Sequence, residues 1–108
     1  MELNDSSETV DLGIGRSVPR PNNVYSLRGL LRSAYANSGT TMTDVAERTG
    51  LSRSAVASVL GHETAAFPYR ELFMAIARDL VDEPYLGEWS ACWQAAHDSP
   101  NRDVHPPV

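Results

Sequence analysis

An all-α fold, a compact bundle of about five short helices, is what this 108-residue sequence predicts, and three observations predict it. Apolar residues recur at i, i+3, i+4 and i+7 in separate short runs. The runs are bracketed by Gly, Pro, Ser, Thr or Asn where helices start and stop. One 19-residue stretch, Met42 to Leu60, has small, glycine and aliphatic residues at the spacing of two helices meeting across a tight turn.

Residues 1–22 are polar, contain Gly13, Gly15, Pro19 and Pro21, and show no sustained period, which predicts a flexible, acidic N-terminal arm. Order is expected from Asn23. Leu27, Leu30, Leu31, Ala34 and Tyr35 make a one-sided apolar stripe for a first helix, closed by Asn37, Ser38 and Gly39. Arg28 and Arg32 share its outer face.

Thr41-Met42-Thr43-Asp44 fits a capping box, with a hydroxyl followed three places later by an acid, so the second helix should begin at Met42. Met42, Val45 and Ala46 face inward, and the helix stops at Thr49 before Gly50. Ser52 caps a third helix from Arg53 to about Leu60. Gly61 ends it, leaving His62 to Ala66 as a loop. Pro68 is placed as the first residue of a fourth helix, where its missing N–H costs nothing, with Tyr69, Leu72, Phe73, Ile76, Ala77 and Leu80 along its inner stripe. Pro84 opens a fifth, with Leu86, Trp89, Trp93 and Ala96 on one side. One domain over residues 23–97 is expected, with a disordered tail over 98–108.

Within Met42–Leu60 each position has a steric reason. Ala46 lets a second helix cross close by, Gly50 permits the left-handed turn, and Leu51, Val56 and Val59 fill the angle between the helices. This pattern resembles the Cro and phage-repressor type of helix-turn-helix, the XRE family, whose usual text is a small residue, three variable places, Gly, an aliphatic residue and Ser. The resemblance extends over roughly Tyr25 to His97. It implies a five-helix DNA-binding domain, in which helices two and three form the reader and helices four and five brace it.

The net charge of −5 is unevenly distributed. Residues 1–24 carry −2, residues 25–80 carry +1 and residues 81–108 carry −4, so the acid lies mostly outside the reading segment. A balance of +1 predicts modest affinity for a polyanion, because backbone affinity scales with the phosphates neutralised. All nine basic residues are Arg, which suits a GC-rich bacterial genome or a choice of Arg for phosphate and guanine contacts. The first eleven residues hold four acids and no apolar run, unlike a signal or transit peptide. No stretch has the roughly 18 apolar residues of a membrane helix, and Cys92 has no second cysteine to pair with. The expected location is the bacterial cytoplasm.

On the third helix, Val56, Val59 and Leu60 point to the core, so Arg53, Ser54, Ala55, Ala57 and Ser58 face outward. The candidate base contacts are Arg53, whose guanidinium can bind guanine O6 and N7 with two hydrogen bonds, Ser54, Ser58, and Ala55 against a thymine methyl. Candidate phosphate contacts are Thr41 and Thr43 at the start of helix two, Ser52 at the start of helix three, Arg70 at the start of helix four, and Arg28 and Arg32 on helix one. For Thr41 and Ser52 capping is an alternative or additional role. For Arg28 and Arg32 the alternative is a plain solvated face. Tyr85, Trp89 and Trp93 are candidates either for a dimer or partner face or for core. XRE relatives often have Arg, Asn or Gln near the positions of Ala57, Ser58 and Gly61. The small residues here put more of the reading on DNA shape or on a second protomer, or turn the fold to protein binding.

Enzyme chemistry finds no support. His62, His97 and His105 are far apart and lack metal-ligand spacing. Cys92 has no activating pattern around it, and Gly13-Ile14-Gly15 lacks a third glycine. The sequence therefore predicts a transcriptional regulator that binds double-stranded DNA through its third helix, as a homodimer, needing no cofactor and acting by occupancy, for example as a repressor. The alternative is a protein-interaction adaptor, an antitoxin or accessory subunit, whose acidic tails engage a basic partner.

Overall fold

Three short polar side chains start the first three helices. Asn23, Thr41 and Ser52 each accept a hydrogen bond from the backbone N–H three residues on, at Ser26 (2.8 Å), Asp44 (3.1 Å) and Ala55 (3.0 Å). These bonds satisfy N–H groups that have no partner inside the helix. In a computed structural model that describes residues 9–61 and 67–100, the helices are α1 (Val24–Ser38), α2 (Met42–Thr49), α3 (Arg53–Leu60), α4 (Arg70–Leu80) and α5 (Leu86–Asp98). The all-α bundle of five helices is thus the observed architecture, with one small sheet added. Thr41→Ala and Ser52→Ala should each lower stability by about 1 kcal/mol, read as a shift of the urea midpoint at unchanged m.

The turn between α2 and α3 is the one the motif requires. Gly50 has φ +77°, and its N–H donates to the Ala46 carbonyl at 2.9 Å. A side chain at this φ is strained, so glycine closes α2 at least cost. Val45 and Ala46 of α2, Val56, Val59 and Leu60 of α3, Leu27, Leu31 and Ala34 of α1, Phe73, Ile76 and Ala77 of α4, and Trp89, Cys92 and Ala96 of α5 share one core. Arg48 at the end of α2 donates to both carboxylate oxygens of Asp79 in α4, at 2.7 and 2.9 Å, and to Thr40 Oγ1 at 2.8 Å. This forked bond fixes the end of α2 against α4.

Two helix starts lie downstream of the expected positions. Tyr69, not Pro68, precedes α4, with extended backbone and its carbonyl accepting from Phe73 N–H. Tyr69 is therefore outside the helix and 75% exposed, rather than on the inner stripe. Pro84 belongs to a single 3₁₀ turn, Glu83–Tyr85, that leads into α5. The expected loop at 62–66 lies outside the described residues, as do residues 1–8 of the expected arm and most of the expected tail.

The largest departure is at the N-terminus. Where residues 1–22 read as a flexible arm, Thr9–Asp11 (β1) and Ser17–Pro19 (β2) form an antiparallel hairpin with Val10 opposite Val18. Val10, Leu12, Ile14 and Val18 are buried and belong to the same core as the helices. The carboxylate of Asp11 accepts from Gly13 N–H at 3.0 Å and starts the turn. Trp89 Nε1 donates to the Leu12 carbonyl at 2.9 Å and Asn37 Nδ2 to the Ile14 carbonyl at 2.7 Å, so α5 and α1 both hold the hairpin. An ideal Cβ on Gly13 would lie 2.6 Å from Tyr85 Cδ2, so the hairpin backbone and that ring are in direct contact.

Cys92 is buried in α5. Burial pushes its thiol up to about 11, with a smaller opposing pull from Arg20. The folded protein holds this proton more tightly than the unfolded chain, so stability should fall as pH rises above about 9, the unperturbed thiol value, towards 11. At neutral pH the native thiol should resist alkylation by iodoacetamide and react once urea unfolds the chain; labelling at the rate of a free thiol would contradict this.

Candidate nucleic-acid interface

The exposed side of the α2–α3 unit is assembled from the starts of the two helices. On α3, Arg53, Ser54, Ala57 and Ser58 are exposed and Ala55 is partly so, whereas Val56, Val59 and Leu60 are buried. This is the division expected of an eight-residue helix with one apolar face. Thr41, Thr43 and Ser52 are exposed as well. Thr41 and Ser52 do serve as caps, each engaging one N–H, while the other first-turn N–H groups of α2 and α3 have no carbonyl partner within their helices, as an anion-binding helix start requires. Among the described residues Arg53 pairs with no carboxylate, so its guanidinium is available to an outside partner. Asp44 and Glu47 lie on the exposed side of α2 and temper the positive charge there.

The other candidates separate from this face. Arg28 is only 2% exposed. It belongs to the inner half of α1 instead of the outer face, and burial is the main cause that lowers its pKa. A guanidinium so enclosed does not reach a phosphate. Arg32 is half-buried and its Nη1 donates to the carbonyls of Leu60 and Gly61, both at 3.3 Å. Arg70 is exposed and its Nη2 donates to Ser90 Oγ of α5. Periodicity hides the first two because a long side chain at the edge of an apolar stripe turns inward when a neighbouring helix offers packing or carbonyls.

Tyr85, Trp89 and Trp93 do not form one exposed aromatic patch. Trp89 is fully buried, tilted against Phe73 with ring centroids 5.9 Å apart. Tyr85 lies against Gly13. Trp93 stacks on His97 at 4.8 Å and donates from Nε1 to the Pro68 carbonyl at 3.1 Å, with Phe67 edge-on to both rings. Core packing accounts for Trp89, and Trp93 is anchored within an aromatic cluster that holds Phe67 and Pro68 against α5.

Sequence reasoning missed two exposed features. Tyr69, next to Arg70 at the start of α4, is the large apolar side chain left exposed among the described residues; the helix starts two residues after Pro68, which leaves Tyr69 outside it. Arg16 and Arg20 of the hairpin line an open groove with Ser26, Gly29, Leu30 and Ser33 of α1. Its signal was the period-two alternation of Val10, Leu12 and Ile14.

No helix among the described residues is long and apolar enough to cross a membrane. No curated protein and no solved structure matches the chain. Residues 25–61 match the model of a family described as winged helix-turn-helix DNA-binding. The matched segment runs from the second residue of α1 to the residue after α3 and thus includes the whole α2–α3 unit. The described strands lie before α1, so the resemblance rests on the three helices and not on a wing. Buried motif positions, a left-handed Gly50 and this match converge on one conclusion: residues 25–61 hold a helix-turn-helix similar to that of the winged helix-turn-helix DNA-binding family.

Proposed function

We propose that this protein is a sequence-specific, DNA-binding transcriptional regulator of XRE type, in which α3 enters the major groove. The observation that carries the proposal is Arg53, exposed in the first turn of α3 and paired with no carboxylate among the described residues, on a helix whose opposite face is wholly core. In this reading Arg53, Ser54 and Ser58 meet base edges and Ala55 meets a thymine methyl. Thr41, Thr43 and Ser52, with the N–H groups beside them, grip phosphates, and Arg70 adds a phosphate contact by exchanging Ser90 for the backbone. Arg28 takes no part.

The four small side chains on α3 supply few base contacts. Two protomers on two half-sites about one helical turn apart would double them, and occupancy would regulate a promoter by blocking or recruiting polymerase. The α2–α3 spacing, the five-helix bundle and the family match at residues 25–61 support this reading.

The test is selection of duplexes from a random pool by the full chain, followed by titration of the winner and a random duplex across a salt series. A preferred sequence should emerge, and log K should fall linearly with log salt. Failure to enrich any sequence, with no binding at low salt, would contradict the proposal. Light scattering of the complex reads the expected two protomers per site.

A further inference from the structure

The end of α3 is built differently from the end of α2. Gly50 turns left-handed and returns its N–H to α2's own carbonyl, whereas Gly61 is extended, at φ −72° and ψ 162°. The last carbonyls of a helix need donors from elsewhere in that case. Arg32, 28 residues earlier and on another helix, reaches the Leu60 and Gly61 carbonyls with one guanidinium nitrogen. A cation at this end also opposes the negative pole of the helix. Space is tight as well as polar: a Cβ on Gly61 would lie 2.8 Å from the Ala57 carbonyl oxygen, so a larger residue there would push the chain off α3 and away from Arg32.

We infer that Arg32 is a positioning residue for DNA reading, one that pins the C-terminal end of α3 to α1 and thereby sets where Arg53 enters the groove. The inference rests on the proposed DNA reading. α3 has eight residues and is about 12 Å long, so a tilt of about 10° about its C-terminal end moves its N-terminus by about 2 Å. Direct hydrogen bonds to base edges do not survive such a displacement. Attraction to phosphates is long-ranged and does. Loss of Arg32 should therefore erode discrimination between sequences while leaving the electrostatic part of binding intact. A phosphate-contacting Arg32 would behave in the opposite way.

The experiment compares the wild type, Arg32→Met and Arg32→Lys on the selected duplex and a random one across a salt series. Residual dipolar couplings of α3 relative to α1 are recorded in the free proteins. Arg32→Met should lose about tenfold of the preference for the selected duplex, at unchanged salt slope. Its α3 couplings should shift, and Arg32→Lys, which keeps a cationic donor, should restore both. Equal weakening on both duplexes with a slope smaller by about 1 would make Arg32 a phosphate contact and overturn the inference. Unchanged α3 couplings in Arg32→Met would overturn it without any reference to DNA. A wild type with no preferred duplex would overturn the DNA reading itself, and the couplings would still decide whether Arg32 orients α3. If Arg32→Met does not fold, Gly61→Ala, which moves the carbonyls away from Arg32, takes its place against the wild type, with the same losses expected.

Discussion

Replacement of Trp89 by alanine is expected to cost about 3–5 kcal/mol, enough to unfold much of a domain whose total stability is of the order of 5–15 kcal/mol. Trp89 is fully enclosed, lies against Phe73 and holds the Leu12 carbonyl through Nε1, so it connects α5, α4 and the hairpin at one point. Truncation removes the apolar transfer energy, opens a cavity and leaves a buried carbonyl without its donor. Trp89→Phe separates these contributions: most of the volume stays and the N–H is lost, for an expected cost of about 1–3 kcal/mol. In that variant the amides of Val10 and Val18 should lose hydrogen-exchange protection before those of α1 and α4, because the hairpin alone depends on the lost bond. A cost below 1 kcal/mol for Trp89→Ala would mean that the hairpin and the bundle are not one cooperative unit.

Arg53→Ala is expected to weaken binding to the preferred duplex by about 1–3 kcal/mol, the worth of one good guanidinium–base pairing. The side chain is exposed and contributes nothing to the core, so the urea midpoint should not move. Two controls give the loss its meaning. On a random duplex the variant should lose far less, and replacing the exposed Glu83 by Ala, in the 3₁₀ turn that leads into α5, should leave discrimination unchanged. A uniform loss on both duplexes would reassign Arg53 to a phosphate. No loss at all would remove α3 from the interface.

The helices were legible because each leaves a mark that one sequence carries: a cap residue at Asn23, Thr41 and Ser52, a 3.6-residue apolar stripe, and Gly50 at the turn. Buried Val45, Ala46, Val56 and Val59 follow directly from the motif's spacing. The hairpin was hidden because its strands have three residues each, and the Gly and Pro content that allows its turn is also the composition of an unstructured segment. The alternation of Val10, Leu12 and Ile14 is too short to outweigh that composition, and the tertiary partners, Trp89 and Asn37, decide between the two cases. Arginine placement failed for a similar reason. Arg28 and Arg32 lie at the margin of α1's apolar stripe, where the inward or outward choice depends on packing and, for Arg32, on the carbonyls that the end of α3 presents. Of the candidate interface, the backbone positions were thus readable along the chain, whereas the allocation of charge between phosphate, core and helix end was set by packing.

Nitrogen-15 chemical-shift mapping of the full chain against its selected duplex tests the central claim, that the α2–α3 unit reads DNA, most directly. The account predicts the largest shifts at the amides of Thr41 to Asp44 and Ser52 to Ser58, with small ones at Val10 and Val18 in the hairpin. Shifts concentrated on the hairpin or on α5, with α3 unmoved at saturating duplex, would contradict it.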